Sequence, residues 1–143
     1  MIGPANSANT VAITDFAAED KFGITASDYG LSQGNGLVDN GSGTLVLDPV
    51  WFATVTGTQG TVAGHGQFLY NSTSRTLMWD SDGSGAAAGI ALATVQTGAA
   101  VTLNQIAVSG AVSNPVVGNV SINNVSVTEG NNGTVLETFT VRD

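Results

Sequence analysis

Asp80 and Asp82 stand one residue apart in the run Asp80-Ser81-Asp82-Gly83-Ser84-Gly85, directly after the apolar triplet Leu77-Met78-Trp79. Carboxylates are hard oxygen ligands and glycines let a backbone fold back over an ion, so this pattern suits calcium. Calcium takes six to eight oxygens, more than two acids supply. Backbone carbonyls, water and the more distant Asp39 or Asp48 are the groups that could complete the shell, and Asp15 and Asp20 are further acids beside a solvated turn. The competing reading is a turn in which Asp and Gly serve backbone geometry alone.

Other chemistry finds less support. His65 sits between Gly64 and Gly66, where a lone histidine is expected to be an exposed loop residue, and no second histidine or cysteine exists to join it on a transition metal. A serine nucleophile would have only His65 as its base, and no Gly-x-Ser-x-Gly elbow surrounds it. The spacing of Asp80 and Asp82 on a loop does not predict the carboxylate separation that glycoside hydrolysis needs. An enzyme is therefore not expected. Trp51, Trp79, Tyr70 and Phe68 could form a sugar-binding platform, but aromatics in such runs are expected to fill a core.

The elements that must hold these residues read as strands. Phe68-Leu69-Tyr70 and Leu77-Met78-Trp79 flank the polar segment Asn71-Ser72-Thr73-Ser74-Arg75, the signature of a β-hairpin. Residues 10–16 alternate as a half-buried strand, and Phe22-Gly23-Ile24 follows an acidic turn. Glycine and asparagine are too dense across residues 27–43 for regular structure, apart from a short strand at Leu37-Val38. Strands are further expected at 44–47, 51–55 (a helical turn being the alternative), 86–94, 101–103 and 105–108. Four segments result: a flexible lead-in over 1–9, a β-module over 10–110, a linker over 111–119 and a strand pair over 120–143.

In that last pair, Val120, Ile122, Val125 and Val127 lie on one alternating strand and Val135, Phe139 and Val141 on the next. Two strands with apolar faces do not fold alone. They need a sheet edge, from the module itself or from a neighbouring copy, and the second case would propagate head to tail into a fibre. The expected partners are thus copies of this chain or other domains of a larger surface protein.

The 143 residues carry a formal charge of −8, with Lys21, Arg75 and Arg142 the only Lys or Arg side chains. Such a surface repels phosphate and excludes a nucleic-acid partner. No apolar run reaches membrane-spanning length. Without cysteine there are no disulfides, so a bound ion would be the available staple for an exported fold. The first residues lack a secretory signal, which leaves an interior location, export by another route, or a piece of a larger protein.

Residues 11–108 resemble the C-terminal region of RTX proteins, the calcium-binding proteins that Gram-negative bacteria export by type I secretion. The matching positions are Ile13-Thr14-Asp15-Phe16 with Glu19-Asp20-Lys21, then Phe68-Leu69-Tyr70-Asn71 with the run from Leu77 to Gly85, and the close Leu103-Asn104-Gln105-Ile106-Ala107-Val108. The nonapeptide repeats of that family are absent, so the likeness is to the region that caps them. It implies calcium at Asp80 and Asp82 and a place outside the cell or on its surface. Residues 120–130 and 138–141 are similar to the opening strands of Calx-beta domains, immunoglobulin-like sandwiches whose remaining strands are missing here.

The whole reads as an all-β protein, an antiparallel sandwich or jelly-roll-like module whose two final strands pair with it or with a neighbour. The function expected of it is structural or adhesive, non-enzymatic, calcium-stabilised and secreted, with self-assembly into an extracellular fibre by strand exchange as the variant that accounts for the two final strands. The alternative is the C-terminal cap and export region of a larger RTX protein.

Overall fold

The two aromatic runs form the expected hairpin, and it lies at the centre of the molecule. In the computed structural model, which describes residues 1–5 and 10–113, β1 (Val11–Ile13), β2 (Phe22–Thr25), β3 (Ser32–Gln33), β4 (Gly36–Asp39), β5 (Leu45–Leu47), β6 (Phe52–Val55), β7 (Gln67–Asn71), β8 (Thr76–Asp80), β9 (Ile90–Val95) and β10 (Ile106–Ser109) follow one another. The only helices among the described residues are three short 3-10 turns, Ala26–Tyr29, Pro49–Trp51 and Leu103–Gln105. The fold is all-β. The Val120, Ile122, Val125, Val127, Val135, Phe139 and Val141 strands lie outside the described residues.

The strands make three sheets, ordered β1-β9-β8-β7-β6, β10-β2 and β3-β4-β5. The antiparallel expectation is corrected: β7-β8, β8-β9 and β4-β5 are antiparallel, whereas β1-β9, β6-β7, β3-β4 and β10-β2 are parallel. A parallel neighbour needs the chain to cross back before pairing. Between β6 and β7 that crossing is made by the glycine-rich residues 56–66, without a helix.

Burial explains why the hairpin read as two apolar runs and not as alternation. All of β7 and most of β8 are buried, as expected of strands covered on both faces. On one face, Phe68 stands opposite Trp79 and Tyr70 opposite Leu77. Tyr29, Trp51, Leu37, Ile24 and Val95 pack there in the main core. Tyr29 leans on Phe68 and Trp79 with ring centroids 4.9 and 5.1 Å away, and its hydroxyl donates to the Gly3 carbonyl at 2.7 Å. On the other face, Gln67 stands opposite Asp80, Leu69 opposite Met78 and Asn71 opposite Thr76. Among the described residues no sheet covers these rungs; side-chain hydrogen bonds tie the loops 56–66 and 81–89 to them.

Smaller differences have local causes. Residues 86–88 are exposed loop and the strand begins only at Ile90, because the alanines follow the glycine turn before the chain reaches β8. Leu103 opens a 3-10 turn where a strand was expected, with Gln105 Oε1 reaching back to accept from Thr102 N–H at 2.9 Å. Near the start, Ile2 bridges Ile24 and donates its N–H to Gly23 at 2.7 Å, so the lead-in is tied to β2 at that point.

Candidate functional site

The expected calcium turn leaves β8 at Asp80, whose side chain is fully buried on the loop-covered face. Its Oδ1 accepts from the N–H groups of Asp82 at 3.2 Å and Gly83 at 3.1 Å, and its Oδ2 accepts from Gly60 at 2.8 Å. One carboxylate thereby closes its own turn and holds the crossover loop. Charge-assisted hydrogen bonds of this kind stabilise a buried carboxylate without an ion.

Asp82 is placed differently. Its Oδ2 accepts from Ala87 N–H at 3.1 Å, while its Oδ1 is buried with no hydrogen-bond partner. A carboxylate oxygen withdrawn from water and left without a donor is costly. Of the oxygens in this turn, Asp82 Oδ1 is the one suited to a cation, and Asp80 would contribute mainly by shaping the turn. The remaining ligands of a calcium shell would be carbonyls of the two loops and water.

The other acids are dispersed and mostly engaged with nearby backbone. Asp15 is exposed on the surface. Asp20 accepts from Ala17 N–H at 2.8 Å, Asp39 from Gly41 at 2.7 Å and Gly43 at 3.1 Å, and Asp48 caps the Pro49–Trp51 turn by accepting from Val50 at 3.0 Å. Among the described residues no three of His, Asp or Glu come together in a group able to hold a metal, so neither Asp39 nor Asp48 joins Asp80 and Asp82.

His65 is half-buried, contrary to the expected exposed loop residue. Its ring stacks on Trp51 with centroids 4.4 Å apart and planes 12° apart, and Nδ1 lies 2.8 Å from the Gly66 carbonyl. Trp51, Trp79, Tyr70 and Phe68 are buried, as expected of core and not of a sugar platform.

Sequence reasoning missed two amide side chains that share the loop-clasping role. Gln67, fully buried, accepts from Thr61 N–H at 2.8 Å and donates to the Val50 carbonyl at 2.9 Å. Asn71 accepts from Thr73 and Ser74, both at 2.9 Å, and donates to Gly57 at 2.8 Å. Its place at the start of a polar turn was the available signal, since asparagine caps such turns with its own carbonyl. Nothing in the sequence marks Gln67 in this way.

Comparison with protein-family models, with curated proteins and with solved structures finds no match to this chain. The RTX and Calx-beta likenesses therefore rest on their motif residues alone.

Proposed function

We propose that this chain is a non-enzymatic structural or adhesive module of a secreted bacterial protein, acting outside the cell and stiffened by calcium at the Asp80–Asp82 turn. The observation that carries the reading is the unpartnered, buried Asp82 Oδ1 beside the loop clasp of Asp80. Around it, the buried polar side chains Asp80, Gln67 and Asn71 hold glycine-rich loops to the central hairpin. Extracellular calcium would neutralise the one oxygen that backbone donors leave out. A site present only in the folded state adds its binding energy to folding. Secretion is inferred from the likeness to the RTX C-terminal region.

Thermal unfolding in millimolar calcium and in excess chelator tests this. At a calcium concentration about a hundredfold above its Kd the ion would add about 2.7 kcal/mol. For a domain of this size that raises Tm by roughly 10 °C. Asp82→Asn should abolish the increment. A melting curve indifferent to chelator would remove calcium from the proposal.

The motif residues also favour a second reading, the cap and export region of a larger RTX protein. Deleting residues 120–143 separates the two: loss of export from a chain that still folds supports the export role.

A further inference from the structure

Two sheet edges face each other across an open groove. Among the described residues β5 is paired only with β4 and β10 only with β2, and the two strands lie side by side in separate sheets. The hollow between them encloses about 530 Å³ and is lined by apolar side chains from both banks, among them Val38, Val46 and Leu47 facing Leu103, Ile106 and Val108. Val46 is 37 % exposed, although it sits at the middle of a strand. The phase of the β4–β5 ladder is fixed by Asn40 N–H donating to Thr44 and Asp48 N–H donating to Gly36. Backbone groups alternate in direction along an antiparallel strand. Those of Leu45 and Leu47 therefore point away from β4, towards β10.

The described chain also ends at this groove. Beyond β10, Ala111 and Ser113 line an adjoining hollow with Gly43, Thr44 and Leu45. Six residues, 114–119, then precede Val120. Six residues reach roughly 20 Å when extended, ample for the chain to reverse and run back beside a strand of this length. Val120 and Ile122 stand two apart in sequence, the spacing that puts two side chains on one face wherever a chain is extended.

We propose that the segment from Val120 to Val127 folds back in the same molecule and lies along the groove between β5 and β10, with Val120 and Ile122 seated on its apolar floor. An apolar segment tethered by a short linker has a high effective concentration at a neighbouring edge, which favours docking within the chain over exchange between copies. This inference goes beyond the proposed function and does not depend on calcium.

Hydrogen exchange on the intact chain tests it. Replacing Val120 and Ile122 together by lysine should speed exchange of the Leu45 and Leu47 amides roughly tenfold or more, with the amides of β7 and β8 unchanged. Equal exchange at Leu45 and Leu47 in both proteins would overturn the proposal. So would protection that fades on dilution, which marks exchange between copies. Should the lysine variant also lose protection in β7 and β8, a thiol pair decides, because the chain has no cysteine of its own. Val46→Cys with Ile122→Cys should be bridged within the monomer by a short bismaleimide, and Val11→Cys on β1 with Ile122→Cys should not. Equal or absent bridging, or bridging only between chains, would sink the proposal.

Discussion

Arg75 and Val95 grip each other from both ends: Val95 N–H donates to the Arg75 carbonyl at 2.8 Å, and Arg75 Nε donates to the Val95 carbonyl at 2.9 Å. The guanidinium reaches further, to the carbonyls of Gly98 at 2.8 Å and Ala99 at 3.3 Å. A residue of the β7–β8 turn thus ties down the end of β9 and the turn that follows. It does so from a left-handed backbone, at φ 55°, a conformation disfavoured for any side chain but glycine. Arg75→Ala keeps that strain and loses the clamp, so it should lower stability by about 2 kcal/mol. Arg75→Gly loses the clamp but relieves the strain, and should be the more stable of the two by about 1 kcal/mol. Denaturant midpoints of the three proteins check the order; equal stabilities of the Ala and Gly variants would deny the strain.

Asp80 is expected to matter for folding whether or not calcium is present. Its carboxylate answers three backbone N–H groups, from Gly60, Asp82 and Gly83, in a site closed to water. Asp80→Asn turns an amide NH2 towards at least one of these donors, and Asp80→Ala leaves all of them unanswered. Losses of about 2–3 kcal/mol for Asn, and more for Ala, are expected in chelator. A full-strength fold in Asp80→Ala would show that the clasp is dispensable.

How far the sequence revealed this arrangement follows from what its signals encode. The hairpin was legible because six of the ten residues in β7 and β8 are apolar and a polar turn separates the strands. The position of Asp80 and Asp82 was legible too, but not the difference between them, since Asp80 is answered by Gly60, twenty residues away on loop 56–66, while Asp82 Oδ1 is left without a donor. Strand direction was illegible for the same reason. A glycine-rich link of eleven residues can turn back or cross over, and only pairing with Phe68 to Asn71 decides that β6 runs parallel to β7. His65 was misread because its neighbours are glycines, while its partner Trp51 lies fourteen residues away.

Alkaline pH should unlock the anchor of the first residues. Tyr29 is buried, which raises its hydroxyl pKa from 10.0 to about 12, and the negative charge of Asp28 adds to the effect. The folded state therefore holds this proton more tightly than the unfolded chain. Stability from this group is fully present below about pH 10 and is lost as pH rises through 12. Tyrosinate absorbance should show one group titrating near pH 12, and Tyr29→Phe should flatten the decline of stability between those pH values. A decline of the same steepness in the Phe variant would assign it to other groups.

A tight backbone approach lies under the candidate calcium turn. Gly83, at φ 65°, bridges Ala63, and a methyl group on it would collide with the carbonyl oxygens of Val62 and His65. Two costs would add in Gly83→Ala, the left-handed backbone and the expulsion of loop 56–66 from its seat. A loss of about 3 kcal/mol or more is expected, with the Trp51–His65 stack disturbed. Gly41, at φ 89° with open space around it, supplies the reference. Gly41→Ala carries the backbone cost alone and should lose only about 1 kcal/mol. Unfolding curves of the two variants, with tryptophan fluorescence as the readout, separate collision from strain, and equal losses would mean that loop 56–66 yields freely.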